Sequence, residues 1–146
     1  MNAVSSPVER AGSPPTVLVV DDDRTTRDRY GEWLETAGYS VSNCPGPSLS
    51  ERACLGMRGV PCPLSHAADI VLLDSRRLPG LTHKAKPGWL LLRHYLKAGK
   101  PIVVIAERYR PDHTFRPEQV AVLHSEPGRE SILLAVRRML NESRRW

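Results

Sequence analysis

The stretch Val17-Leu18-Val19-Val20-Asp21-Asp22-Asp23 runs four β-prone apolar residues directly into three carboxylates. A second stretch, Ile70-Val71-Leu72-Leu73, runs the same way into Asp74. Short, continuously apolar runs are the mark of strands buried on both faces of a parallel sheet. Ligands of such sheets bind outside the carboxyl ends of the strands. Two strand ends therefore bring acid to one edge. Carboxylates gathered without a nearby Lys or Arg repel one another, and a bound cation relieves that repulsion. An all-oxygen ligand set suits a hard ion such as Mg2+. The pattern predicts an acidic, metal-binding pocket on an α/β domain.

Length and composition suit one small domain. At 146 residues the chain is long enough to bury a core. Its hydrophobic content is 40%, and its apolar runs fall short of a membrane span, so no membrane partner is expected. Residues 1–15 have neither a basic n-region nor an apolar h-region. They read as a disordered leader rather than an export signal. A cytoplasmic location follows, with Cys44, Cys54 and Cys62 as reduced thiols. The formal charge is +5, and Arg137, Arg138, Arg144 and Arg145 crowd the C-terminal end. The last turn of a helix favours such cations. Neither interleaved aromatics nor a nucleic-acid motif accompanies them, so nucleic acid is not an expected partner.

Away from the first run, strands and helices alternate. Asp23 is placed to cap a helix over 24–37, with Tyr30, Trp33, Leu34 and Ala37 on one apolar face. Gly38 suits the position after its end. A second strand spans 39–44. Ser48-Leu49-Ser50-Glu51 has capping-box spacing and opens a short helix to Met57. Gly59, Pro61 and Pro63 then make a loop. The third strand covers 68–73, a leucine-rich helix covers 88–98, and the fourth strand covers 101–105. A short fifth strand over 119–123 precedes a last helix over 131–142, with Ile132, Leu133, Val136, Met139 and Leu140 inward. This order implies a parallel sheet covered on both faces. The chain divides into a leader at 1–15, one folded domain at 16–142 and a basic tail at 143–146.

Over residues 16–140 the chain resembles the receiver domain of two-component response regulators. The resemblance is carried by Val17 to Asp23, by Arg27 and Trp33-Leu34 in the first helix, by Asp74 with Leu78-Pro79-Gly80, and by Pro101-Ile-Val-Val-Ile105. It implies a (βα)5 doubly wound, flavodoxin-like sheet and a signalling module rather than an enzyme. Residue by residue, it implies Mg2+ on Asp21 and Asp22, with Asp22 the more direct ligand. Asp74 becomes both ligand and nucleophile, and the backbone carbonyl of Arg76 matches the family's remaining protein ligand. A carboxylate attacks a phosphoryl group only where positive charge offsets the gathering negative charge. The product is an acyl phosphate, and its charge acts on nearby loops. The implied donor is a histidine kinase or phosphotransfer protein. Output is expected through a downstream protein partner, with a homodimer left open.

The chain departs from the family at its switch positions. Ala106 stands where a hydroxyl residue ends the fourth strand, and a methyl donates no hydrogen bond. Ser125 stands where a lysine ends the fifth, and Val122 replaces the aromatic switch residue. The loop over 75–88 is long and basic, with Arg76, Arg77, His83, Lys84 and Lys86. It is either an exposed insertion or the source of a cation that folds over the pocket and replaces the missing lysine. Pro111 and Pro117 disfavour a helix between the fourth and fifth strands, so the fourth helix is expected to be short or missing. These departures support an alternative function: a phosphorylation-independent pseudo-receiver that acts as a protein-interaction module. No glycine-rich nucleotide loop follows the first strand, and the cysteines lack zinc-site spacing. His94 reads as a helix-surface residue.

Overall fold

The computed structural model describes residues 13–46, 62–76, 87–107, 116–124 and 126–143. Five strands form one sheet: β1 (Thr16–Val20), β2 (Ser40–Cys44), β3 (Ile70–Asp74), β4 (Ile102–Ala106) and β5 (Val120–His124). Their order is β2-β1-β3-β4-β5, and every neighbouring pair is parallel. The described helices are α1 (Arg24–Thr36), α2 (Pro63–Ala67), α3 (Pro87–Lys97) and α4 (Arg129–Ser143). This is the doubly wound α/β class expected from the alternating runs. Strand order reverses between β1 and β3, and at such a point the connections leave in opposite directions and open a crevice.

Alternation along each strand divides the core in two. Leu18, Val20, Val71, Leu73 and Val104 pack on one face against Leu91, Leu92 and Tyr95 of α3. Val17, Val19, Leu72, Val103 and Ile105 pack on the other face, against Tyr30 and Leu34 of α1 and Ile132, Val136 and Met139 of α4. Double coverage is why β1, β3 and β4 are apolar at nearly every position. The edge strand β2, Ser-Val-Ser-Asn-Cys, is only partly covered and correspondingly polar.

Element ends shift by small amounts, and two readings need correction. Pro63 does not lie in a loop. It opens α2, where its fixed φ and missing N–H suit a first helical turn. Ala37 is not part of the apolar face: it is the exposed C-cap of α1, followed by Gly38 at φ 101°. The described residues between β4 and β5, Glu107 and 116–119, hold no helix. Positions 108–115, where the short or missing fourth helix is expected, lie outside the described residues. So do 1–12, the Ser48–Met57 helix, loop residues 77–86, Ser125 and the arginines at 144 and 145. No described helix is long and apolar enough to cross a membrane.

Candidate functional site

The register of the sheet brings the two acids together. Val20 is the last residue of β1 and pairs with Leu73, so Asp21 and Asp74 follow side by side at the carboxyl ends of neighbouring strands. Both lie beneath the surface, with relative exposures of 1% and 3%. The Asp21 N–H donates to the Cys44 carbonyl at 3.1 Å, continuing the pairing with β2. Its Oδ1 accepts from the Asp23 N–H at 2.9 Å. Asp23 caps α1, accepting from the Thr26 N–H at 3.1 Å and from the Thr26 hydroxyl. A single turn thus links the strand end to the helix start. From that helix Arg27 reaches back, and its Nη1 donates to the Asp21 carbonyl at 2.8 Å.

Asp74 is held by Arg76 and Tyr30. Arg76 approaches it three ways: backbone N–H to Oδ1 at 3.2 Å, Nε to Oδ1 at 2.9 Å and Nη2 to Oδ2 at 2.7 Å. The side-chain pair is the bidentate fork that makes arginine–carboxylate contacts strong. The Tyr30 hydroxyl donates to Oδ2 at 3.4 Å and accepts from Arg76 Nη2 at 3.2 Å. Ser75 anchors the backbone between these two residues. It is buried, and both its N–H (2.9 Å) and its hydroxyl (2.8 Å) donate to the Ile105 carbonyl of β4.

Electrostatics follow this geometry. Burial pushes the Asp74 carboxyl up, but the hydrogen bonds from the Arg76 side chain and backbone N–H, together with the Arg76 charge, bring it below its ordinary value. The hydrogen bond to Asp74 raises the Arg76 guanidinium, which stays charged. Burial and the neighbouring Asp74 charge raise the Tyr30 phenol, so it stays protonated and able to donate.

Asp21 and Asp74 are therefore gathered at the expected edge, with Asp22 half-buried beside them. Arg76, from the loop after β3, places a cation beside these acids. Of the two readings of that loop, the folded-over cation holds for Arg76; its residues 77–86 are outside the described set. A carboxylate offers about four lone-pair sites, and Arg76 and Tyr30 supply donors for as many. Among the described residues, no group of three or more His, Cys, Asp or Glu side chains is set to hold a metal ion. In this arrangement the residues present do not fit a divalent cation on Asp74.

Of the switch positions, Ala106 and Val122 fall among the described residues. Ala106 ends β4 as a buried methyl opposite the exposed His124, and Val122 is half-buried in the α3 side of the core. The role of Tyr30 in the site was hidden within its core reading. The signals were present: an arginine two residues after a strand-end aspartate, and a tyrosine on the helix that follows the first acids.

No protein-family model matches the chain, and no curated protein matches it. Solved structures do. A response regulator receiver domain protein from Methanospirillum hungatei JF-1 superposes with a TM-score of 0.61 at 17% identity, covering 91% of this chain and 98% of that one. One from Clostridium thermocellum gives 0.61 at 18%, covering 89% and 97%. The receiver domain of the hybrid histidine kinase CckA gives 0.56 at 17%, covering 86% and 98%. The fold is that of response regulator receiver domains.

Proposed function

We propose that this chain is a signalling module on the receiver fold that acts through protein contacts, with Asp74 held as one half of an internal ion pair. The observation that carries this reading is the bidentate contact of Arg76 with both oxygens of Asp74, closed by the Tyr30 hydroxyl. A carboxylate so engaged is a poor nucleophile, since its lone pairs are committed. The methyl of Ala106 adds no donor for an incoming phosphoryl oxygen.

A second reading is favoured by the placement of Asp21 and Asp74 on adjacent strand ends. There Asp74 accepts a phosphoryl group from a histidine kinase or phosphotransfer protein, and Asp21, Asp22, Asp74 and the Arg76 carbonyl hold Mg2+. That reading requires Arg76 to leave Asp74 first.

Intact-mass measurement after incubation with a small phosphodonor and Mg2+ separates the two, with Asp74→Asn run alongside. The expected result is no phosphoryl-sized gain in the parent. A gain in the parent that Asp74→Asn lacks would overturn the ion-pair reading and establish the second.

A further inference from the structure

We infer that Arg76 is a built-in replacement for a metal ion at this pocket, so that a divalent cation binds Asp74 only when the Arg76 guanidinium is removed. The inference rests on the ion-pair reading and deepens it, because it assigns the exclusion of metal to one side chain.

The geometry supports competition rather than coexistence. A metal ligated by Asp74 needs at least one carboxylate lone pair. Oδ1 already takes the Arg76 N–H and Nε, and Oδ2 takes Nη2 and the Tyr30 hydroxyl. Losing Nη2 from Oδ2 also breaks its bond to the Tyr30 oxygen, so the metal must undo two contacts to gain one. Charge argues the same way. Arg76 and Arg27 both direct cationic nitrogens to the strand ends that carry Asp74 and Asp21. The two guanidinium groups lower the attraction that the carboxylates of this edge would otherwise offer a dication.

The guanidinium is also held in readiness. Ser75 is fixed to Ile105 by two hydrogen bonds, which sets the position of Arg76 in the backbone. The Tyr30 ring is buried and lies 5.8 Å from Trp33, centroid to centroid, so its hydroxyl has little freedom. The Arg76 side chain keeps 13% exposure, enough of an opening for solvent to reach its outer edge. Removing the guanidinium frees one acceptor position on each oxygen of Asp74, while the Arg76 N–H and the Tyr30 hydroxyl stay in place.

The test is a titration of the full chain with Mg2+, and with Mn2+ followed by the loss of free-ion paramagnetic resonance signal. Parent, Arg76→Gln, Arg76→Lys and the double variant Asp74→Asn/Arg76→Gln are compared, with circular dichroism confirming that each is folded. The inference expects Arg76→Gln to bind either metal about tenfold or more tightly than the parent. The gain should vanish in the double variant. Arg76→Lys keeps a cation but lacks the planar fork, so it should show a smaller gain; it carries the test if Arg76→Gln does not fold. Equal metal affinity in parent and Arg76 variants would overturn the inference, as would a gain that survives Asp74→Asn. Phosphoryl labelling of the parent is a separate readout: it would sink the ion-pair reading whatever the metal titration shows.

Discussion

Asp74 keeps its charge almost out of contact with water because four donors meet it within the protein. Desolvation of a carboxylate is costly, and pairing offsets that cost only when every contact is made. Removing one partner is then worse than removing both. Arg76→Gln should destabilise the fold by about 3 kcal/mol or more, since it leaves a buried carboxylate beside Asp21. Asp74→Asn/Arg76→Gln should recover most of that loss, since no unpaired charge remains. Urea unfolding of the two variants against the parent checks this; a double variant as unstable as the single one would mean that the pair is not where the stability lies. Neither residue announces the contact by its identity. Arg76 is one of five basic residues in its loop region, and only the turn after Ser75 folds it back.

Helices and strands place the chemistry by their ends. Asp23 caps the start of α1, which sends Arg27 back toward Asp21 and Tyr30 down toward Asp74. At α3, His94 departs from its expected surface role. It is half-buried, its Nε2 lies 3.3 Å from the Ser65 hydroxyl of α2, and its ring meets Tyr95 edge-on at 5.4 Å. Burial holds its pKa below the ordinary value of 6.5. A depressed histidine favours the folded state above the unfolded-chain pKa, and this contribution is lost as pH falls through the folded value. Stability should therefore decline as pH drops below about 6.5. In His94→Gln that part of the decline should flatten, as read from thermal midpoints across the range. An unchanged slope would show that other groups dominate there.

Across the whole molecule, stability comes from a sheet covered twice. Leu72 lies on β3 at 0% exposure, packed with the α1 and α4 side chains, whereas Leu134 on α4 is 68% exposed. Leu72→Ala should cost about 2–5 kcal/mol. Leu134→Ser should stay within about 0.5 kcal/mol. Denaturant midpoints distinguish them, and similar losses would mean that α4 turns its outer face toward other parts of the chain. The same double coverage made the architecture readable. Apolar runs ending in acid identify buried parallel strands with functional ends, and the 3.6-residue periodicity identifies the helices that cover them. Pro63 was misread because proline fits a loop and a first helical turn equally well.

The order of residues alone was enough for the fold class, the strands, the principal helices and the pair of acids at the sheet edge, because these depend on local periodicity and burial. It was not enough for the state of Asp74. Whether a carboxylate repels its neighbour, awaits a metal or is already paired depends on where the fold aims the side chains around it. Arg76 is only two residues from Asp74, but the turn after the strand directs it back, and the other contact comes from far along the chain. Tyr30 lies 44 positions before Asp74 yet reaches within 3.4 Å of it. Parallel pairing of β1 with β3 and packing of α1 over that crevice create this contact, and they exist only once the chain has folded.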